Sequence, residues 1–264
     1  MASRVLTDIY IYPIKSMGGI RLESSVCEGR GLQYDRRWML IDPTGKFVSQ
    51  REHAHLCLIK LSLSSDGFRL SYNDEHREIP RILSGTDYSE VQVWGDTCKA
   101  IIHDSEINAW LSQILDLDVR LVYQVDEDNR HVDPAFAKNG EVNSLSDGYP
   151  YLVLGQSSLD LLNEKLAEPI LINRFRPNLV FSGSEPHEED QWADFSIGHA
   201  KFYGAKPCSR CQVPTINQES GVMGKEPTRT LARYRNFDHK IKFGMNVLCS
   251  QEGTIAVGDQ ILFE

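Results

Sequence analysis

The stretch RWMLIDPTGKFVSQ, residues 37–50, consists of two apolar runs on either side of Asp-Pro-Thr-Gly. The four central residues are typical of a tight turn, so the stretch predicts a β-hairpin. LIKLSLSSDGFRLSY (58–72) repeats this design around Ser-Asp-Gly, and VQVWGDTCKAIIH (91–103) repeats it around Trp-Gly-Asp. Three such hairpins in the first half of the chain indicate a fold built largely from antiparallel strands.

Strand patterns also mark both ends of the chain. VLTDIYIYPI (5–14) is rich in Ile, Val and Tyr, as a half-buried strand should be. NVLCSQEGTIAVGDQILFE (246–264) predicts a further hairpin at the other end. Because no repeated βαβ pattern is present, we expect a barrel or a sandwich and not a doubly wound sheet.

Three short helices interrupt this pattern. DSEINAWLSQIL (104–115) has helical spacing of its apolar residues, with Asp104 or Ser105 available as the N-cap. SSLDLLNEKL (157–166) and PTRTLARYR (227–235) predict two more helices. The expected fold class is therefore mainly β with a few short helices (α+β).

With 264 residues, the chain is long enough for one large domain or two small ones. We place a domain boundary near residue 120, which divides the chain into domains of residues 1–120 and 121–264. The polar stretch 126–150 follows this boundary and is the least regular part of the sequence. It is interpreted either as a linker or as a binding loop or lid within a compact chain.

The net charge of −9 opposes binding to nucleic acid or to an anionic membrane. Any bound anion must therefore meet a local cluster of Lys and Arg. The first residues lack the apolar core of a signal peptide, and the apolar stretch 56–63 is too short to span a bilayer. The sequence predicts a cytoplasmic protein without a membrane or nucleic-acid partner.

Six cysteines raise the question of metal or redox chemistry. Cys57, Cys98 and Cys249 lie in apolar strand-like runs and are predicted to be core residues. Cys208 and Cys211, in KPCSRC, share one local arrangement with Arg210 and Lys206, whose charges favour a thiolate.

The Cys208–Cys211 pair is open to several interpretations. Structural zinc is disfavoured because no second Cys or His pair with suitable spacing is present. A redox disulfide has weak support, since Pro214 opposes the helix that would follow such a motif. A nucleophile, or a thiolate ligand to a soft redox metal carried by an anionic cofactor, remains open.

Basic residues at predicted strand ends supply candidate anion contacts. Lys15 and Ser16 follow a strand and precede two glycines, Arg36 adjoins the strand beginning at residue 37, and Arg176 precedes Pro177. Each residue alone is more typical of an exposed lysine or an ordinary ion pair. Together with Arg210 they form a stronger pattern, because arginine side chains suit phosphate groups and polar heterocycles.

Seven motifs occur in an order that spans nearly the whole chain: YPIKS (12–16), YDRRW (34–38), DGYPYLVL (147–154), NRFRPNLVFSG (173–183), KPCSRC (206–211), FGMNV (243–247) and GTIAVGD (253–259). Together they resemble the MOSC-domain family, in particular the YcbX-type proteins related to the mitochondrial amidoxime-reducing components. The resemblance implies a MOSC-associated N-terminal β-barrel domain followed by a MOSC β-barrel domain.

The resemblance also implies a molybdenum–molybdopterin cofactor, with the Cys211 thiolate as the catalytic protein ligand to molybdenum. The implied contacts to the pterin and its phosphate are Lys15, Ser16, Arg36, Arg176, Asn178, Ser209 and Arg210. The family's reaction is the reduction of N-hydroxylated compounds, such as amidoximes and N-hydroxylated bases.

Three departures from the family pattern bear on these implications. Longer YcbX-type proteins continue into a [2Fe–2S] ferredoxin domain, and the mitochondrial relatives carry a membrane anchor; neither is present in this sequence. We therefore expect a separate flavoprotein reductase or ferredoxin as the electron donor. Position 246 is Asn where the mitochondrial relatives carry Tyr. The cofactor contact that this Tyr implies is therefore not carried over to this sequence.

Two other functions are compatible with these residues. A MOSC sulfur carrier or sulfurtransferase would hold a persulfide on a cysteine and would need no pterin. A pyridoxal-phosphate-binding module would need a Schiff-base lysine, for which Lys15 is the candidate.

Overall fold

A computed structural model describes residues 3–263, which form 21 strands, three α-helices and four 3₁₀ helices. The expected fold class, mainly β with a few short helices, is confirmed. The strands are β1 (Val5–Ile11), β2 (Ile20–Leu22), β3 (Ser24–Glu28), β4 (Gly31–Leu32), β5 (Trp38–Ile41), β6 (Lys60–Leu63), β7 (Gly67–Tyr72), β8 (Glu75–Pro80), β9 (Tyr88–Val93), β10 (Asp96–Ile102), β11 (Arg120–Gln124), β12 (Arg130–His131), β13 (Val142–Asn143), β14 (Tyr151–Gly155), β15 (Leu179–Ser182), β16 (Asp194–Ile197), β17 (Ala200–Ser209), β18 (Asn236–Phe237), β19 (Lys240–Gln251), β20 (Gly253–Ala256) and β21 (Ile261–Phe263).

All three predicted helices are present. They are α1 (Ser105–Leu115), α2 (Gln156–Asn163) and α3 (Thr228–Tyr234), and the 3₁₀ helices are Ala54–Leu58, Ile172–Phe175, Glu188–Gln191 and Val213–Thr215. Helix α1 begins as the sequence indicates, because the Asp104 carboxylate accepts hydrogen bonds from the amides of Glu106 and Ile107, both at 3.0 Å. Within residues 3–263, no helix has both the length and the apolar character that crossing a membrane requires.

The largest sheet combines the start of the chain with its second half. Its strands run in the order β2-β1-β15-β14-β19-β17-β16-β21, and β18 pairs with β19. The amide of Leu6 donates to Asp259 O, and that of Ile261 donates to Arg4 O, so the last strand of this order lies beside β1. Most pairs are antiparallel; β14 and β15 are parallel and are connected through α2. This arrangement brings residues that follow β1 close to residues more than a hundred positions later.

The three hairpins of the first half are confirmed. Strand β6 pairs with β7, and β9 pairs with β10, both antiparallel. Around Asp-Pro-Thr-Gly, β5 is followed by a short antiparallel bridge from Ile41 to Phe47. The remaining sheets have the orders β5-β11-β10-β9, β6-β7-β8, β20-β3-β4 and β12-β13.

The predicted hairpin at the end of the chain is wrong. Strand β20 pairs with β3, and β21 pairs with β16. The 12-residue β19 pairs with β17, β14 and β18. The turn residues between β19 and β20 are typical of a local hairpin. Both final strands nevertheless pair with strands that are distant in the sequence, β20 with β3 and β21 with β16. Ile255 becomes fully buried in this arrangement.

One continuous hydrophobic core joins the two halves of the chain. Trp38, Phe68 and Trp110 from the first half belong to the same cluster as Phe181 and Phe202 from the second half. Three cysteines are also buried: Cys57, Cys98 and Cys249 are at most 7% exposed, which confirms their predicted core positions. Because of this shared core, a cleft between the two halves has rigid walls.

Candidate functional site

A cleft at the junction of the two halves contains all eight predicted site residues. Its empty space, counted to the open mouth, is about 820 Å³, within the size range of small-molecule sites. The predicted residues that line it are Lys15, Ser16, Arg36, Arg176, Asn178, Ser209, Arg210 and Cys211. The loop after β1, the segment before β14, the turn before β15 and the end of β17 supply most of its walls.

Two arginines in the cleft are positioned by a buried tyrosine. The guanidinium carbons of Arg36 and Arg176 lie 4.3 and 4.1 Å from the ring centroid of Tyr12. Tyr12 is 2% exposed and donates its hydroxyl hydrogen to Pro177 O at 3.1 Å. Burial lowers the pKa of Arg176 to about 10. Two cations held against one ring form a preorganised anion site.

The two glycines after Ser16 serve packing. A Cβ atom at Gly19 would lie 2.5 Å from Cε1 of Tyr12, and one at Gly18 would lie 3.0 Å from Ile59 O. The absence of a side chain therefore lets the backbone pass over the Tyr12 ring that holds the two arginines.

Left-handed backbone recurs among the cleft residues. Ser16, Arg36 and Arg176 have φ values of 72°, 47° and 54°. Such conformations cost about 1–3 kcal/mol for residues other than glycine and persist where the surrounding structure demands them. Their concentration in one cleft is typical of a functional site.

Asn178 organises the cleft through its buried amide group. Its Oδ1 accepts from the Leu152 amide at 3.2 Å and from Arg36 Nη1 at 3.1 Å, and its Nδ2 donates to Tyr10 O and to Asp35 Oδ2. Asp35 also accepts hydrogen bonds from the Tyr12 amide and from Arg36. Asn178 thus fixes the orientation of Arg36, and these contacts use its full hydrogen-bonding capacity.

A second cationic group surrounds Asp147. Lys15 Nζ donates to Asp147 Oδ1 at 2.6 Å and to Leu145 O at 2.8 Å, while Arg51 Nη2 donates to Asp147 Oδ2. The indole Nε1 of Trp94 donates to Oδ1 at 3.3 Å, and Arg51 stacks over the Trp94 ring. This carboxylate thereby gathers a lysine and an arginine at one side of the cleft.

The environment shifts the pKa values of Lys15 and Asp147. Burial lowers the pKa of Lys15 to about 8, although the Asp147 charge acts in the opposite direction. Desolvation acts to raise the pKa of Asp147, but the charges of Lys15 and Arg51 hold it well below its usual range. Lys15 is therefore a cleft cation that loses its charge within an experimentally accessible pH range.

The two cysteines of KPCSRC occupy different environments. Cys211 is exposed and lines the cleft, and Cys208 is half-buried with its Sγ 3.1 Å from Arg210 Nη1. Desolvation acts to lower the pKa of Arg51, but the Asp147 carboxylate and the Cys211 thiol beside it raise it above its ordinary value. Arg51 is thus a cation next to Cys211.

The two cations expected beside the cysteines, Arg210 and Lys206, differ in their contacts. Arg210 contacts Cys208 and donates to Phe175 O at 2.6 Å. Lys206 Nζ lies 4.1 Å from the centroid of the Phe136 ring and 5.0 Å from that of Tyr149. The register of β17 against β19 shifts on both sides of Lys206, and the Lys206 side chain packs on these two aromatic rings.

The two predicted serines differ in their contacts. The Ser16 carbonyl accepts from Gln50 Nε2 at 2.5 Å, and within residues 3–263 its hydroxyl has no hydrogen-bond partner. The Ser209 hydroxyl accepts from Lys242 Nζ at 2.8 Å. Asn246 lines the cleft and donates its amide hydrogen to Lys206 O.

The end of the polar stretch 126–150, residues 146–149, forms part of the cleft wall. Arg130 is 8% exposed and donates to the carbonyls of Ser144, Ser146 and Asp147. These contacts hold residues 146–149 against the cleft, which supports the binding-loop interpretation over the linker.

Sequence reasoning missed several residues of the site, namely Tyr12, Gln50, Arg51, Asp147 and Tyr149. Tyr12 and Asp147 belong to the motifs YPIKS and DGYPYLVL, which were available signals. Arg51 had none, because it follows a predicted hairpin in an otherwise ordinary polar stretch. Among residues 3–263, no group of three or more His, Cys, Asp and Glu side chains could hold a metal ion by itself.

Comparison with known proteins places this chain in a family. A MOSC domain model matches residues 140–262, and a MOSC N-terminal beta barrel domain model matches residues 3–118. The chain belongs to the MOSC-domain family.

Relatives cover nearly the whole chain. Mitochondrial amidoxime-reducing component 1 of Mus musculus is 30% identical over 97% of this chain and 81% of its own length. The protein of the same name from Danio rerio is 30% identical over 97% of this chain and 84% of its own length. Molybdenum cofactor sulfurase of Bombyx mori is 29% identical over 97% of this chain, which spans only 33% of the sulfurase.

Proposed function

We propose that this chain is a molybdenum-cofactor-binding oxidoreductase that reduces N-hydroxylated compounds such as amidoximes and N-hydroxylated bases. The observation that carries the proposal is the exposed Cys211 thiol in a cleft lined by five cationic side chains and one carboxylate. A strongly positive cleft in a chain of net charge −9 is selective for an anionic ligand. The similarity to amidoxime-reducing components supports the same conclusion.

The residues present fit a soft metal carried by an anionic organic cofactor. A thiolate is a preferred ligand of soft metals, and Cys211 would be the protein ligand to molybdenum. Lys15, Arg36 and Arg176 would hold the phosphate and the pterin, because charge-assisted hydrogen bonds to anions are strong. The free hydroxyl of Ser16 can donate to the same group. When bound, the cofactor supplies the two-electron redox chemistry.

The protein's own contribution is binding and orientation. Tyr12 and Asn178 hold the two guanidinium groups in place, so little reorganisation is needed when an anion binds. Reduction of each N–O bond consumes two electrons and two protons, and it releases the amine or amidine and water. The electrons would come from a separate flavoprotein reductase or a ferredoxin.

The test is cofactor content together with turnover. Protein produced in a host that makes the cofactor should contain molybdenum and pterin in equal amounts. Molybdenum is measured by mass spectrometry and pterin by its fluorescent oxidation products. With reduced viologen as donor, this protein should convert benzamidoxime to benzamidine. Benzamidoxime turnover by metal-free protein, or no turnover by fully loaded protein, would contradict the proposal.

The alternative function is a sulfur carrier or sulfurtransferase. The exposed, free Cys211 thiol and the similarity to molybdenum cofactor sulfurases favour this alternative over other thiol chemistry. It predicts a persulfide on Cys211 and no bound molybdenum. Mass spectrometry of the intact protein would detect the additional sulfur atom of the persulfide.

A pyridoxal-phosphate-binding module ranks below both functions. Lys15 Nζ already donates to Leu145 O and Asp147, and forming a Schiff base would disrupt these contacts. A borohydride-reducible absorbance band would support that function instead.

A further inference from the structure

A second concave surface, the basic groove, lies outside the cleft. It is lined by residues of 165–174 and 215–233 and encloses about 1450 Å³ of open space. Its five cationic residues are Lys165, Arg174, Lys225, Arg229 and Arg233, and its acidic residues are Glu168 and Glu226. We propose that the basic groove is the docking surface for a small acidic electron-carrier protein. This inference rests on the proposed oxidoreductase function.

The basic groove and the cleft share one wall. Arg174 lines the groove, whereas the next two residues, Phe175 and Arg176, line the cleft. In the same way, Val213 lines the cleft and Thr215 lines the groove. Arg174 Nη1 donates to Pro214 O at 3.2 Å and so ties the two 3₁₀ helices of this wall together. A carrier in the groove would therefore sit directly behind the segment that follows Cys211.

The cations of the basic groove are available to a partner. Lys225, Arg229 and Arg233 are exposed, and none of the three forms a salt bridge within residues 3–263. The carboxylate of Glu226 is partly engaged, because its Oε2 accepts from the Thr230 amide at 3.0 Å. The groove therefore presents a positive field on a chain of net charge −9.

Apolar side chains at the groove complete a docking surface. Val222 is 64% exposed and lines the groove, and Leu171 and Met223 beside it are 67% and 43% exposed. An apolar centre with a charged rim is typical of protein interfaces. Charge complementarity raises the association rate and permits a short-lived complex, as electron carriers require.

The electron balance defines what the carrier must do. Each one-electron carrier delivers one electron per docking event, so two reduced carrier molecules are oxidised for each N-hydroxylated molecule reduced. The substrate binds in the cleft, and the reduced product and water leave from there. Because the carrier docks in the groove, the carrier and the substrate occupy opposite faces of the wall. This separation lets the carrier exchange without displacing the substrate.

The experiment compares three charge-reversal variants. Arg229→Glu/Arg233→Glu reverses two exposed cations on α3, and Lys46→Glu/Lys99→Glu makes the same charge change on exposed lysines of the first half. Lys225→Glu is a third variant, which leaves α3 unaltered should the double change disturb that helix. Each cofactor-loaded variant is assayed with reduced viologen and with a reduced acidic [2Fe–2S] ferredoxin.

At low ionic strength, we expect kcat/KM for the ferredoxin to fall about tenfold or more in the α3 variant. Viologen-driven turnover should equal that of the unmodified protein, and the lysine control should change neither activity. The difference should vanish near 1 M salt, where screening acts over about 3 Å. Lys225→Glu should show a smaller loss in the same direction.

Four results would overturn the inference. The α3 variant could use ferredoxin as well as the control does, or it could lose viologen-driven turnover equally, which would indicate a structural role. With ferredoxin kinetics unchanged, the α3 variant could lose binding to phosphatidylserine vesicles, which would assign the groove to a membrane. It could instead lose self-association in sedimentation velocity, which would assign the groove to a second copy. If the unmodified protein shows no viologen-driven turnover, the proposed function fails and the docking inference falls with it.

Discussion

Lys15 Nζ lies 2.6 Å from Asp147 Oδ1, and this ion pair connects residues 132 positions apart in the sequence. The Lys15 side chain is 6% exposed, while that of Asp147 is 53% exposed at the cleft. The ion pair thus holds the buried Lys15 ammonium group at the edge of a solvent-accessible site. Its chemistry leads to the first prediction.

Anion affinity should depend on the protonation of Lys15. Because its pKa is about 8, Lys15 is charged below that pH and becomes neutral above it. Affinity of cofactor-free protein for inorganic pyrophosphate, measured by calorimetry, should therefore fall as the pH rises through about 8. The Lys15→Arg variant should keep its charge and show little pH dependence in this range. An identical pH profile in both proteins would refute the role of Lys15.

Metal retention should distinguish the two cysteines of the cleft. Cys211→Ser should abolish molybdenum retention and N-reductive activity, because a hydroxyl is a harder and far less acidic ligand than a thiol. Cys208→Ser is the matched control and should be much milder, since the Cys208 sulfur already contacts Arg210. Molybdenum content and thermal unfolding are measured on both. Equal loss of metal would favour a dithiol site.

Asn178 should contribute to stability as well as to the site. Asn178→Ala removes four hydrogen bonds. The Leu152 amide and the buried Asp35 carboxylate each lose the hydrogen bond that they make with the Asn178 side chain. We expect the free energy of unfolding to fall by about 3 kcal/mol, measured by urea denaturation. Asn236→Ala, at an exposed position, should change it by less than about 0.5 kcal/mol. Similar losses in the two variants would show that the Asn178 network is not required.

Gly19 should be intolerant of a side chain. The added Cβ of Gly19→Ala would meet the buried Tyr12 ring, so we expect a loss of about 1–3 kcal/mol and weaker pyrophosphate binding. Gly95→Ala is the control, because a Cβ there meets nothing within 4 Å. Chemical denaturation and calorimetry compare the two. Unchanged anion affinity in a destabilised Gly19→Ala protein would separate Tyr12 packing from the site.

The purified chain should be unable to use NADPH by itself. Its sequence contains no flavin or nicotinamide fingerprint and no cluster-type cysteine spacing. We expect turnover of benzamidoxime with reduced viologen, none with NADPH alone, and activity with NADPH once a flavoprotein reductase or a ferredoxin system is added. NADPH-driven turnover by the isolated chain, with contaminating reductases excluded by mass spectrometry, would contradict the separate-donor model.

Local patterns were sufficient for much of the fold. The hairpins β6–β7 and β9–β10 depend on turn residues and apolar runs that are adjacent in sequence, and α1 begins at the cap that Asp104 indicates. The motif resemblance also named residues that share one cleft. These predictions succeeded because turns, caps and ordered motifs are read from neighbouring residues.

The sequence alone therefore determined the β-rich class, the local hairpins and helices, the buried cysteines and the residues of the motifs. Only the tertiary structure decided that the final strands pair with β3 and β16, that Arg51 and Asp147 meet at the cleft, and that Lys206 packs on Phe136. Each of these depends on strand order and on contacts between distant segments. Such contacts are selected by the burial of one shared core, which no local pattern encodes.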